Sequence, residues 1–459
     1  MTTIMIIGGG PAGYVAAITA AQQGHQVYLI DQGPLGGTCL NEGCMPTKSL
    51  LESADVYSQV QHAGEFGIQL LADGIEIDWK RIQHRKNQVV STLVHGIQYL
   101  MRKNKVKVIN GKASFITNNT VSVKGEGTEQ QISSDKIIIA TGSEPVALPF
   151  APFDDEWILH SSHAMSLQEI PASMVIIGGG VIGCEFASVY SRFGTNVTII
   201  EMSCQLLPGE DEDVAAVLHK KLEDDGVIIH TSTAVKDLQK DKRMVLFEND
   251  EGIQKLSADL VLVSIGRKPR VQNLGLENIG LEFSHQGIFV NERMETNIPN
   301  IYACGDVIGG VQLAHIAFHE GTVAALQASG EEAQVNYRAV PRCIYTSPEI
   351  ASVGLTEKQA RDQYGDIRIG EFPFAANGKA LITGKQQGKV KVLVEPDFGE
   401  VIGVSIVGVH ATELIGQATV MLHAELTTDS LENFIAAHPT LSETIHEALL
   451  SAIGHAVHV

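Results

Sequence analysis

Two stretches, "IMIIGGGPAGYVAA" at Ile4–Ala17 and "MVIIGGGVIGCEFA" at Met174–Ala187, are versions of one pattern. Each runs from an apolar strand through a G-x-G-x-x-G turn into a helix of small residues. The glycines are Gly8, Gly10 and Gly13 in the first copy and Gly178, Gly180 and Gly183 in the second. Each copy goes on to a second apolar strand that closes on an acid, "VYLID" on Asp31 and "VTIIE" on Glu201, at the same interval after its third glycine. The first glycine allows a tight turn. The second lets the backbone approach a pyrophosphate, and the third lets the helix pack on the strand with its N-terminus facing the phosphate. The acid accepts a hydrogen bond from a ribose hydroxyl. One such turn among 45 glycines carries little weight. Two copies, each with strand context and a matched acid, predict an α/β chain with two dinucleotide sites.

Glu201 would repel the 2′-phosphate of NADP, and "MSCQLLPG" at 202–209 offers no Arg or Lys to receive one. The second site is therefore expected to take NAD. The first site lies just upstream of a cysteine pair, Cys39 and Cys44, in "GGTCLNEGCMPTK" at Gly36–Lys48. A dithiol oxidation that yields hydride needs a two-electron relay, which a flavin in the first site would provide.

The cysteine spacing raises a geometric difficulty. Positions five apart on a regular helix are separated by about 7.5 Å along the axis, whereas a disulfide needs its Cα atoms within roughly 7 Å. A bridge requires bent backbone, and Gly43 and Pro46 are the residues to bend it. The other cysteines, Cys184, Cys204, Cys304 and Cys343, are dispersed and read as small buried hydrophobes. No pairing of cysteines and histidines has the spacing of a zinc site, so no metal is expected.

The 459 residues suffice for about three domains. A formal net charge of −20 argues against nucleic acid and anionic membrane surfaces, which call for clustered Lys and Arg. No apolar run reaches the ~18 residues of a membrane span, and "MTTIMIIGGG" has no basic leader. A cytoplasmic protein is the expectation. In a reducing compartment a close cysteine pair is more often catalytic or metal-binding than structural.

With these pieces in view, the chain resembles the flavin disulfide reductases, the flavin-dependent pyridine nucleotide-disulfide oxidoreductases. The likeness rests on the double fingerprint, "GGTCLNEGCMPTK", "IIIATGSEP", "IGRKP", "IYACGD", "YTSPEIASVG", "FPFAANGKA", "GVSIVGVHATELI" and "HPTLSE", and runs nearly end to end. It is nearest to the members that oxidise dihydrolipoyl groups. It implies a split FAD-binding domain at 1–145 and 271–340, an NAD-binding domain at 146–270 and an α+β dimerisation domain at 341–459. The two nucleotide-binding domains would be Rossmann-like.

The resemblance also implies roles. Cys39 and Cys44 are the redox-active disulfide, Cys39 exchanging with substrate and Cys44 facing the flavin. Lys48 lies near the flavin and pairs with Glu185. His438 is the base and Glu443 its carboxylate partner, serving the disulfide of the other subunit of a homodimer. Gly8, Gly10, Gly13, Asp31, Thr38, Lys48, Thr141, Gly142 and Asp306 contact FAD. Gly178, Gly180, Gly183, Glu201 and Gly266 contact NAD. A thiol base benefits from an imidazole near neutrality, held in one tautomer by a carboxylate, which the two residues of "HPTLSE" provide.

The implied reaction is oxidation of dihydrolipoyl groups with NAD as acceptor. The partner would be a lipoyl-bearing acyltransferase or carrier on a separate chain, since no lipoyl domain precedes the FAD domain. The alternative is a related NAD(P)H-dependent reductase of a metal ion, quinone or other disulfide. A non-catalytic redox sensor would have less need of the His438–Glu443 pair. No cysteine follows Cys343, unlike family members with a further C-terminal redox group. Departures from the family pattern include Asp31, Glu42, Met45, Thr47, Arg270, Ile316, Ser405, Val409 and His410. Glu42 places negative charge between the two cysteines and is expected to disfavour a thiolate there.

Overall fold

The computed structural model describes residues 2–69 and 75–458. Three five-stranded sheets organise them. In the first, the strands Ile301–Ala303, Lys136–Ile139, Thr3–Ile7, Gln26–Asp31 and Lys107–Asn110 lie side by side, all parallel. In the second, also parallel, the order is Ile158–Leu159, Leu260–Val263, Ser173–Ile177, Asn196–Ile200 and Ile228–His230. The central strands are nearly continuous apolar runs because both faces are covered. Ile6, Leu29 and Ile138 are fully buried, each contributing about 2 kcal/mol of transfer free energy.

The two parallel units match beyond the fingerprint. Counted from its fingerprint strand, each inserts a three-stranded antiparallel meander between its third and fourth parallel strands, 112–133 in one and 234–257 in the other. They differ in where the edge strand comes from. The second unit takes it from just upstream, at Ile158–Leu159. The first takes it from Ile301–Ala303, beyond the whole second unit. The helix Ala314–Ser329 then packs across the first fingerprint helix, Pro11–Gln22. Small residues permit this approach: a Cβ on Gly321 would lie 2.3 Å from the Ala12 carbonyl oxygen.

The third sheet is antiparallel, in the order Arg342–Ile344, Glu349–Gly354, Val401–Gly408, Lys389–Val394 and Arg368–Pro373. The helix Glu443–Ala452 packs so closely on its edge strand that a Cβ on Gly370 would sit 1.9 Å from the Ala448 carbonyl oxygen. The chain is thus α/β with two Rossmann-like units and an α+β C-terminal unit. Among the described residues, no helix is long and apolar enough to cross a membrane.

Candidate active site

The two fingerprint turns are near copies in backbone geometry. Gly8 has φ +109° and Gly178 φ +106°, and a Cβ on Gly8 would lie 2.1 Å from the Ala140 carbonyl oxygen. The third glycines lie against the first: a Cβ on Gly13 would be 1.8 Å from the Gly8 oxygen, and one on Gly183 would be 2.0 Å from the Gly178 oxygen. The second glycines face open space. A Cβ on Gly180 would meet nothing within 4 Å, and one on Gly10 only Gly37 Cα at 3.8 Å. That is the space a pyrophosphate needs. No side chain caps the helix starting at Pro11 or the one starting at Val181, which leaves their first-turn N–H groups available to an anion.

The two acids also behave alike. Asp31 accepts hydrogen bonds from the Gly9 N–H and, at 2.8 Å, from the Gly33 N–H. Glu201 accepts from the Gly179 and Ser203 N–H groups, both at 2.6 Å. Two such bonds leave lone pairs on each carboxylate for a ribose hydroxyl. The shorter arm of Asp31 reaches its fingerprint turn as Glu201 reaches the other.

A cavity of about 1450 Å³ opens beside the first turn. Gly8, Gly10, Asp31, Thr38, Cys39, Cys44, Lys48, Thr141, Gly142 and Asp306 all line it. Its size and its glycine-rich end fit FAD. Thr141 Oγ1 donates to the Arg270 carbonyl at 2.8 Å, fixing the loop beside Gly142. Gly178, Gly180, Gly183, Glu201 and Gly266 lie outside this cavity, around the second turn. Gly266, at φ +127°, lies in the turn after the last strand of the second sheet and its carbonyl accepts the Val146 N–H at 3.1 Å.

The cysteines stand on different helices. The helix Gly37–Glu42 carries Cys39 and the helix Cys44–Gln61 begins with Cys44. Gly43, at φ −150° and ψ −110°, breaks the chain between them. This break resolves the spacing difficulty. Pro46 sits inside the first turn of the second helix, where a missing N–H costs nothing. The Cys44 thiol is lowered to about 7, chiefly by the hydrogen bond from Cys39 and against burial, with Lys48 adding to the effect. Lys48 is one turn along the same helix, and the helix N-terminus also favours a thiolate. Cys39 moves the opposite way, raised by the same hydrogen bond and by burial. Glu42 lines the same cavity as the two cysteines, and its carboxylate accepts from Ser162 Oγ at 3.2 Å.

Lys48 Nζ donates to both oxygens of Glu185 at 2.7 and 2.8 Å and lies 4.6 Å from the centre of the Tyr345 ring. Glu185 is buried on the second fingerprint helix and also accepts the Tyr345 N–H at 3.1 Å.

His438 Nδ1 is 2.9 Å from Glu443 Oε1, and Glu443 Oε2 accepts the Thr440 N–H at 2.8 Å. Burial opposes it, but the Thr440 and His438 hydrogen bonds hold the Glu443 carboxyl below its usual range. The imidazole is 79% exposed and does not line the cavity holding the cysteines of its own chain. Exposed Phe434 and Ile435 precede it.

The chain belongs to the pyridine nucleotide-disulphide oxidoreductase family. The family model matches residues 2–321, and the model of the family's dimerisation domain matches 340–449. A dihydrolipoyl dehydrogenase of Bacillus subtilis (strain 168) is 58% identical over 99% of this chain and 100% of its own. A dihydrolipoyl dehydrogenase of Geobacillus stearothermophilus is 40% identical over 100% of this chain and 97% of its own. Among solved structures, LpdA from Mycobacterium tuberculosis superposes with a TM-score of 0.91 at 29% identity, covering 98% of this chain and 99% of that one. The Cu(II) complex of the HOCl-induced flavoprotein disulfide reductase RclA from Escherichia coli gives 0.87 at 31%, covering 98% of both. As a family member with a dimerisation domain, the protein is a homodimeric oxidoreductase that uses FAD and NAD.

Several residues of this oxidoreductase escape a sequence reading. Ser143 Oγ donates to Asp306 and accepts from Arg267 Nε at 2.8 Å, joining distant segments in the wall of the cavity. Glu320, buried and the one acid of its helix, accepts the Gly305 N–H at 2.7 Å and the Tyr337 hydroxyl at 2.8 Å. Burial pushes its carboxyl up to about 7. A lone acid in "AHIAFHEGTVAALQAS" is its only sequence signal. Cys184 and Cys304 are fully buried, but Cys204 is exposed and Cys343 lines the main cavity, so the expectation of four buried cysteines fails for two.

Proposed function

We infer that the protein oxidises protein-bound dihydrolipoyl groups to lipoyl groups, with NAD as acceptor, through Cys39, Cys44 and FAD. The observation that carries this reading is the setting of Cys44: it begins a helix that carries Lys48 one turn along, and both the helix N-terminus and the ammonium favour a thiolate there. In an exchange on the Cys39–Cys44 disulfide, the sulfur of lower pKa leaves faster, so attack falls on Cys39 and expels Cys44 as a thiolate. Exposure runs the other way, since Cys39 is the more buried residue. The leaving group decides the site of attack, because it acts on the reacting bond itself.

His438 takes the proton from one substrate thiol, and the resulting thiolate attacks Cys39 Sγ. The second substrate thiol then closes onto the first substrate sulfur and releases Cys39, which takes up a proton. Glu443 orients the imidazole and stabilises its charged form. Lys48, neutralised in part by Glu185, stabilises the Cys44 thiolate. When bound, FAD supplies the two-electron transfer from the dithiol to NAD. Gly8, Gly10, Gly13, Asp31, Thr38, Thr141, Gly142 and Asp306 hold FAD, and Gly178, Gly180, Gly183, Glu201 and Gly266 hold NAD.

His438 lies outside the cysteine cavity of its own chain, and exposed apolar side chains adjoin it. Both facts support a site completed by the other subunit. The substrate arm belongs to a lipoyl-bearing acyltransferase or carrier, and the setting is the cytoplasm. Steady-state turnover of dihydrolipoamide with NAD tests the reading, with Cu(II), a quinone and glutathione disulfide as competing substrates under NADH. Turnover of a competitor with dihydrolipoamide inert would reject it.

A further inference from the structure

We propose that Asp155, His160 and His163 form a binding site for a first-row divalent transition-metal ion of the Zn²⁺ class. One donor atom from each residue lies within 4.8 Å of the other two. His163 Nε2 is 3.3 Å from Asp155 Oδ1. Ligand bonds of ~2.1 Å in a tetrahedral site put neighbouring donors ~3.4 Å apart, so this edge already has the required length. The third side chain is close by: the rings of His160 and His163 have centroids 3.8 Å apart, tilted by 38°.

Local structure holds the donors in place before any ion arrives. His160 caps the short helix Ser161–Ala164 and His163 lies within it, so the two project from neighbouring positions three apart. The Phe153 ring meets His160 edge-on at 5.0 Å. Asp154 Oδ1 accepts the N–H groups of Glu156, Trp157 and Ile158 at 3.0, 2.8 and 2.8 Å, which fixes the turn carrying Asp155. The polar atoms are also incompletely used. Among the described residues, His163 is the only ion-pair partner of Asp155, and His163 Nδ1 is buried without a hydrogen-bond partner. His160 Nδ1 accepts the Ser162 N–H at a long 3.2 Å, a bond given up at small cost if the other nitrogen ligates.

Imidazole with a carboxylate suits Zn, Cu, Ni or Fe over Mg or Ca. The site sits in a cavity of about 1030 Å³ that adjoins the cysteine cavity and shares Thr38, Glu42 and Arg267 with it; Glu144 and Glu156 line it too, as do Lys268 and Arg270. Arg267 opposes a cation there, but its guanidinium is committed to Ser143 through Nε at 2.8 Å and a second nitrogen at 2.9 Å. An open face remains for water as a further ligand. The ion would be tied to the cysteine loop by the Ser162–Glu42 hydrogen bond.

The test uses the FAD-loaded dimer in a Cys204→Ser background with Cys39 and Cys44 oxidised to the disulfide, so that neither the exposed thiol nor the redox pair competes. Co²⁺ should be taken up at one ion per chain, with a visible d–d spectrum that Zn²⁺ displaces. Outer-shell changes alone cost metal sites 10–100-fold, so His160→Asn, His163→Asn and Asp155→Asn should each weaken binding at least about tenfold while FAD content is retained. The Cys39→Ser/Cys44→Ser double variant should bind Co²⁺ as the wild type does. Three results would overturn the site: no stoichiometric uptake by the wild type, equal uptake by a folded, FAD-loaded His160→Asn/His163→Asn variant, or loss of uptake with the cysteines.

Discussion

Lys48 and Glu185 meet across the boundary between the two nucleotide-binding units, the ammonium donating to both carboxylate oxygens at 2.7 and 2.8 Å. The pair sets the charge seen by Cys44, since Lys48 lowers the Cys44 pKa and Glu185 raises it. Lys48→Met removes the stabilising charge and leaves the opposing one. The Cys44 thiolate should then titrate well above its present value of about 7. Glu185→Gln should move it below that value. The readout is the pH dependence of the thiolate-to-flavin absorption band in the dithiol-reduced protein. A Lys48→Met midpoint equal to wild type would remove Lys48 from the account.

The cysteine assignment has its own signature. Cys39→Ser should show the thiolate-to-flavin band without reductant, because Cys44 is left alone with a hydroxyl still able to donate to it. Cys39→Ala loses that donor, so its band should appear at higher pH than in Cys39→Ser. Cys44→Ser should have no band at any pH. Exchange of the behaviour of Cys39→Ser and Cys44→Ser would reverse the roles of the two sulfurs.

Glu201 should keep NAD ahead of NADP by at least about tenfold in kcat/KM, a difference of about 1.4 kcal/mol. Glu201→Arg should narrow the ratio by replacing repulsion of a 2′-phosphate with attraction. It should also lower NAD use, because the contact to the Gly179 N–H is lost. Equal use of both nucleotides by the wild type is the result that rejects the role given to Glu201.

The shared site can be tested by complementation. Cys39→Ser and His438→Gln chains should each be nearly inactive with dihydrolipoamide. Random pairing on co-expression makes about half of the dimers mixed, and each mixed dimer has one site with both native residues. Activity should recover to about a quarter of wild type per FAD if the sites are independent. No recovery, with mixed dimers verified by differential tags, would place His438 in its own chain's site.

How much of this was legible depended on range. The fingerprint turns and their acids lie within short windows, so spacing alone exposed them. The break at Gly43 was equally local. Proximity of Lys48 to Glu185 came from family likeness, since no local pattern links residues on different units. The Ser143 bridge between Arg267 and Asp306 had no signal, because it depends on segments that only the folded chain brings together. His160 and His163 stand three apart in the sequence, but nothing there ties them to Asp155, which the turn held by Asp154 places beside them.

The distant origin of the strand Ile301–Ala303 bears on how the polypeptide is made. The second sheet draws all its strands from 158–263 and can close as soon as they leave the ribosome. The first sheet keeps Lys136–Ile139 as an open edge until residue 303 emerges. At the ~5–20 residues per second of translation, that interval is on the order of ten seconds or more, during which an apolar strand can pair with a wrong partner. The nascent chain therefore completes its inner module before its outer one, and the window of exposure to chaperones is set by the length of the insertion.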